Sequence, residues 1–167
     1  MPRSFEFSVE SSVSVEQIHS AFSEQDYWLA RLAAFRGSGK LDSLTIGNDG
    51  SVHVVIIQDL RQDWLPGPFA KLYPGDLKVV QNETWSLIGR DRVRGEVSTT
   101  ARGALGSGRG TVVLAPAQID SHLDCTATVE VKVPLVGSKI ESLMCRQMVE
   151  ATSAMLLFTG TWIEDHA

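Results

Sequence analysis

The stretch that most constrains this chain is its last, Pro134 to Ile163, where apolar residues recur at three- and four-residue spacings. Ile140, Leu143, Met144, Met148, Ala151, Ala154, Met155, Phe158 and Trp162 then share one face of a 3.6-residue period. From about Ser138 to Ile163 such a helix runs roughly 39 Å. A face of that length needs a large apolar partner, and what precedes it is mostly strand-like, so a curved sheet is the expected partner. Whether sheet and helix close completely or leave a cavity then decides what the chain can do.

The strand reading begins at Ser4–Ser11, where Phe5, Phe7 and Val9 alternate with Ser4, Glu6, Ser8 and Glu10. Ser14 and Gln17 have capping-box spacing, and Val15, Ile18 and Phe22 follow on one helical face. Ser23 and Asp26 repeat the cap pattern before a second stripe of Trp28, Leu32 and Phe35, which Gly37 and Gly39 end. Six further strands are predicted: Leu41–Ile46, Ser51–Leu60, Leu77–Ile88, Arg92–Ala104, Gly110–Gln118 and Ile119 or Asp120–Val133. The proline-rich stretch from Trp64 to Gly75 reads as a loop with unusual aromatic surface. No repeat, linker or low-complexity tract divides the 167 residues, so residues 1–167 read as one domain.

Charge and composition exclude several classes. A net charge of −5 argues against general nucleic-acid binding, and Arg90, Arg92 and Arg94 are answered by Asp91 and Glu96. The apolar runs are far shorter than the roughly 18 residues of a membrane span. No basic and apolar leader opens the chain, and Cys125 and Cys145 read as free thiols, so a soluble, cytoplasmic protein is expected.

Strand, two short helices, six strands and one long C-terminal helix is an order that resembles the START-like, or Bet v 1-like, helix-grip superfamily, which includes polyketide cyclases and aromatases. The join Val131-Lys132-Val133-Pro134-Leu135-Val136-Gly137-Ser138-Lys139-Ile140-Glu141, with Phe5, Phe7 and the Trp64 to Gly75 stretch, is particularly similar to an actinobacterial family of unknown function within it. The resemblance implies an α+β fold, a seven-stranded antiparallel curved sheet wrapped around the C-terminal helix with an internal cavity between them. It implies no reaction, since one scaffold hosts carriers, cyclases and receptors.

On that reading Trp85, Met144, Met148, Ala151, Met155 and Phe158 would line the pocket, and Trp64, Phe69, Leu72 and Tyr73 would form its entrance. Methionines at this spacing also make plain core, and Trp28, Phe35, Trp85 and Phe158 are large enough to fill a cavity. If Trp85 points inward, Gln81 and Glu83 do so too, and a carboxylate in an apolar pocket would have a raised pKa suited to acid or base work. The plainer account puts Glu83 near a rim or against an arginine.

Gly103, Gly106, Gly108 and Gly110 lack the Lys-Ser/Thr pair and helix of a phosphate loop, and read as a glycine-rich hairpin turn. Asp120, His122 and Asp124 share a strand face that a metal could use, but they lie on its polar side; His19, His53 and His166 have no ligand spacing. No Gly-x-Ser-x-Gly nucleophile elbow occurs. No metal or cofactor is expected. Cys145, Val149, Leu156 and Ile163 form a thinner stripe on the far side of the long helix, either part of a wide buried face or a dimer or partner contact, so a monomer or weak homodimer is expected.

Three functions follow. The first is binding or transport of a small hydrophobic molecule, a lipid, isoprenoid or polyketide-like aromatic, without catalysis. The second is a cyclase, aromatase or dehydratase using Glu83. The third is a protein-interaction module with a filled cavity, whose assembly Leu156→Glu would disrupt.

Overall fold

A computed structural model of the chain describes residues 2–35, 39–59, 78–101, 106–118 and 120–167. Among these residues the chain forms β1 (Arg3–Ser11), α1 (Val15–Phe22), α2 (Gln25–Ala34), β2 (Lys40–Ile46), β3 (Val52–Asp59), β4 (Lys78–Ile88), β5 (Arg92–Ala101), β6 (Gly106–Pro116), β7 (Ser121–Val131) and α3 (Gly137–Asp165). The strands make one antiparallel sheet in the order β1-β7-β6-β5-β4-β3-β2. β2 to β7 each pair with the next strand in sequence and β1 pairs with β7, so among the described residues β1 and β2 are the edges of the sheet. A register shift between Leu41 and Ser43 breaks the β2 edge, a feature that discourages pairing with a foreign strand.

The local chemistry explains the element ends. Gln17 donates its backbone N–H to Ser14 Oγ at 3.2 Å, and Ser14 donates its own to Gln17 Oε1 at 3.0 Å, so the capping box is closed. The second predicted cap is not there. Glu24 occupies the α2 N-cap position without a side-chain bond, and Ser23 instead ends α1, donating Oγ–H to His19 O at 3.2 Å. The β7-to-α3 join turns tightly, with Val136 N–H donating to Pro134 O at 2.9 Å and Gly137 N–H to Val133 O at 3.0 Å. Leu135 sits there at φ +72°, a left-handed conformation that a leucine adopts only at a cost of roughly 1–2 kcal/mol. A Cβ at residue 137 would lie 2.6 Å from Val131 O, so the close approach of α3 to β7 requires glycine there.

Alternation sets what the sheet faces. Leu123, Cys125, Ala127 and Val129 of β7 and Val112 and Leu114 of β6 are buried on the concave side. At one end of the molecule an aromatic cluster fills the space between sheet and helices. Phe22, Tyr27, Trp28 and Trp85 are buried there, with Phe22 4.7 Å from Trp85 and Tyr27 5.4 Å from Trp162, centroid to centroid. Trp28 donates Nε1–H to Phe22 O at 2.7 Å, so its polar atom is satisfied inside the cluster.

The C-terminal half of α3 joins this core through Met155, Leu156, Thr159 and Trp162. Leu156, expected on the far side of the helix, is 3% exposed and packs in the core, whereas Leu157 beside it is 75% exposed. The helix buries a wide face here because α1 and α2 lie against it in addition to the sheet. Leu156→Glu would therefore put a charge into the core and says nothing about a dimer.

Candidate functional site

Away from the aromatic cluster, sheet and helix stand apart. A cavity of about 630 Å³ lies between the concave face of β3–β7, the N-terminal two-thirds of α3 and one side of α2. Trp85, Met144, Met148, Ala151 and Met155 are on its wall. Phe158 is not; it turns toward Tyr27 and Phe35, 6.0 and 5.8 Å away between ring centroids. Trp64, Phe69, Leu72 and Tyr73, the expected entrance, lie outside the described residues. The large aromatics do not fill the space, since Trp28 is held in the cluster and Phe35 only borders the cavity.

Of the glycines expected in a hairpin turn, Gly103 lies outside the described residues and the other three have a different place. Gly106, Gly108 and Gly110 are inside β6, in register with Val131, Val129 and Ala127 of β7, on the same face as Val112 and Leu114. A side chain at each would point into the cavity. Around Gly108 an added Cβ would meet nothing nearer than Thr128 O at 3.8 Å and Thr99 Cβ at 4.0 Å. The Gly-x-Gly-x-Gly alternation clears the floor of the cavity, and its period of two was the available sign that these residues belong to a strand.

Glu83 is the second feature. β4 turns Val79, Gln81, Glu83 and Trp85 to the cavity side, and Glu83 is 2% exposed. It is not at a rim, and no arginine among the described residues lies within ion-pairing distance of it. Its carboxylate is held by neighbours on the same strand: Gln81 donates Nε2–H to Oε2 at 2.7 Å, and Trp85 donates Nε1–H to Oε1 at 3.2 Å. Gln58 of β3 in turn donates Nε2–H to Gln81 Oε1 at 3.3 Å. This polar row fixes the carboxylate on an otherwise apolar wall. Trp85 keeps its position because residue 95 of β5 is glycine; a Cβ there would fall 2.4 Å from Trp85 Cζ3.

Arg31, absent from the sequence-based site, is the third. Tyr27, Trp28 and Arg31 lie three and four residues apart on α2, which puts the guanidinium on the face of the two buried aromatics. Its Cζ stands 4.9 Å from the Trp28 ring centroid. Burial opposes the Arg31 charge, but Tyr27 and Glu83 outweigh it and hold the group above its ordinary pKa. Tyr27 acts on Arg31 through a side-chain hydrogen bond as well as through charge; burial raises its own pKa and keeps the hydroxyl neutral, so at neutral pH the charge support comes from Glu83. Thr159 donates its one hydroxyl proton to Met155 O at 2.7 Å, which leaves Tyr27 as donor in the 2.7 Å bond to Thr159 Oγ1.

Elsewhere the chemistry is structural. His122 Nε2 meets Asp124 Oδ2 at 3.0 Å and Ser8 donates Oγ–H to Asp124 Oδ1 at 2.5 Å, on the solvent side of the sheet. Among the described residues no group of three or more His, Cys, Asp or Glu is placed to hold a metal ion. Cys125 and Cys145 are free, and burial pushes the Cys125 thiol up to about 11. No described helix is long and apolar enough to cross a membrane.

The chain matches, over residues 6–163, the family model described as "Protein of unknown function (DUF2505)". It belongs to that family. The uncharacterized proteins Rv0481c of Mycobacterium tuberculosis and Mb0491c of Mycobacterium bovis are each 34% identical to it, with 99% of both chains covered. Among solved structures, a START superfamily protein from Mycobacterium smegmatis superposes with a TM-score of 0.56 at 14% identity, covering 98% of this chain and 99% of that one. Ara h 8.0201 gives 0.59 at 9%, with 99% of both covered, and norcoclaurine synthase from Thalictrum flavum, solved with dopamine and hydroxybenzaldehyde, gives 0.53 at 17%, with 100% and 89% covered. The DUF2505 chain thus has the START-like, helix-grip fold.

Proposed function

We propose that this DUF2505 protein binds a small hydrophobic molecule in the cavity between its sheet and α3. The observation that carries the reading is the cavity, whose volume of about 630 Å³ falls within the roughly 300–1,000 Å³ of small-molecule sites. Its wall combines apolar strand residues, three methionines that can repack around different shapes, and few polar groups. Norcoclaurine synthase, with the same fold, was solved with two small aromatic molecules, which suits an aromatic or isoprenoid-sized ligand here. Apolar burial supplies the affinity, and the polar row of β4 orients the molecule. Titration with a neutral apolar fluorophore such as N-phenylnaphthylamine tests this. Saturable binding at one site is expected, and the absence of any binding opposes it.

A second reading rests on Glu83, a positioned carboxylate facing the cavity. In it the same site acts as a cyclase, aromatase or dehydratase, with Glu83 taking a proton from the bound molecule. Glu83→Gln should then end turnover of a substrate while leaving its binding in place. Turnover that survives the change rules the role out.

A further inference from the structure

Three neighbouring strands bring polar side chains together on the cavity wall. Gln81 of β4 stands opposite Thr99 of β5, and Thr99 stands opposite Gly108 of β6, where an added Cβ would meet Thr99 Cβ only at 4.0 Å. From the other side Gln58 of β3 reaches Gln81. The amides of this group have a fixed direction. Trp85 Nε1–H can only donate and the Glu83 carboxylate accepts at both oxygens, so Gln81 turns its Nε2 to Glu83 and its Oε1 to Gln58, and Gln58 turns its Nε2 to Gln81. The chain leaves over an acceptor, Gln58 Oε1, and on the far side of Gln81 a hydroxyl, Thr99 Oγ1; neither has a hydrogen-bond partner among the described residues. Both side chains line the cavity and are only half-buried, so a molecule inside it can reach them.

We infer that, on the binding reading above, Gln58 and Thr99 form a hydroxyl subsite, and that the ligand is an uncharged apolar alcohol or phenol whose O–H donates to Gln58 Oε1 and whose oxygen accepts from Thr99 Oγ1–H. A ligand that fills the cavity takes water away from both groups, and one that offers no partner leaves them unpaired in apolar surroundings. A hydrocarbon meets neither group, a ketone meets Thr99 only, and a hydroxyl meets both. Glu83 sets this preference at a distance, because it fixes Gln81 and Gln81 fixes Gln58. An amide in place of the carboxylate reverses the chain. Trp85 would hold the new Oε1, the new Nε2 would face Gln81, and both glutamines would turn over, so that Gln58 presents N–H groups in place of Oε1.

Isothermal titration with three probes of one skeleton tests the inference: ethylnaphthalene, acetylnaphthalene and the secondary alcohol that reduction of this ketone gives. In the unaltered protein the alcohol is expected to bind about fivefold more tightly than the ketone, and the ketone about fivefold more tightly than the hydrocarbon, each step the worth of one neutral hydrogen bond. Thr99→Val, which keeps the shape of the side chain, should bring the ketone to the level of the hydrocarbon and leave the alcohol ahead of both. Gln58→Leu should bring the alcohol to the level of the ketone. Glu83→Gln should invert the order of alcohol and ketone, a result that damage to the packing does not produce. Should a variant not fold, the order in the unaltered protein and the remaining variants decide. Three probes of equal affinity, a ketone that binds the unaltered protein as tightly as the alcohol, or an alcohol preference that survives Glu83→Gln would overturn the inference and leave the cavity reading intact; no binding by any probe would overturn both.

Discussion

Gly108 gives the sharpest perturbation. A Cβ at this position would be in ordinary van der Waals contact, at 3.8 and 4.0 Å from its nearest neighbours, and the rest of a leucine would extend into the cavity. Gly108→Leu therefore fills ligand space with four carbons, and its Cβ enters without a clash. Four displaced ligand methylenes at about 0.8 kcal/mol each cost about 3 kcal/mol, a factor on the order of 100 in Kd. The loss should appear only for ligands long enough to reach the floor of β6, so a series of neutral alcohols of increasing length separates it from general damage. Stability should hold or rise, because glycine inside a strand is itself costly by about 0.5–1 kcal/mol. Titration calorimetry and urea unfolding on the same samples provide both numbers. Long ligands that bind the variant as tightly as they bind the unaltered protein, with an intact fold, would refute the role assigned to the glycine row.

Other consequences are simpler to check. Gly95→Ala drives a methyl into the Trp85 indole, which Phe22 backs and Glu83 tethers, so it should cost about 1–3 kcal/mol and lower the thermal midpoint by about 5 °C. Cys125, with its thiol pushed to about 11, holds only about one thiolate per thousand molecules at pH 8, so iodoacetamide should modify Cys145 first in timed mass spectra. Tyr27 has a raised pKa from burial, so the unfolded chain releases this proton near pH 10 while the folded chain keeps it. Stability should therefore fall as pH rises past 10, and Tyr27→Phe should lessen that fall in denaturant titrations. Leu135→Gly relieves a left-handed backbone and should raise the midpoint slightly, where a fall would show that the exposed leucine has a packing role.

What could be read without coordinates followed from periodicity. The alternation of β1 and β7, the Ser14 capping box and the long amphipathic α3 are local patterns, and each appears in the fold. The pairing of β1 with β7 closes over more than a hundred residues, and no local pattern indicates it. The cavity wall was legible in part, through Trp85 and the α3 methionines, because a residue's strand or helix face follows from its spacing. Glu83 was ambiguous because both sides of β4 mix polar and apolar residues, and only the sheet register buries it. Arg31 was not singled out, because nothing in its spacing shows that α2 folds over the cavity. The glycines were misplaced because three of them near a hairpin resemble a turn as strongly as a strand. Leu156 was misplaced because a helical stripe does not reveal how many neighbours a helix has.

The central claim is that the cavity holds a hydrophobic molecule. Native mass spectrometry of the protein expressed in a mycobacterial host, followed by organic extraction, tests it most directly. A stoichiometric adduct that is lost on denaturation, extracts into organic solvent and is absent from Gly108→Leu is the predicted result. A bare protein mass, together with no uptake of N-phenylnaphthylamine by the same sample, would contradict it.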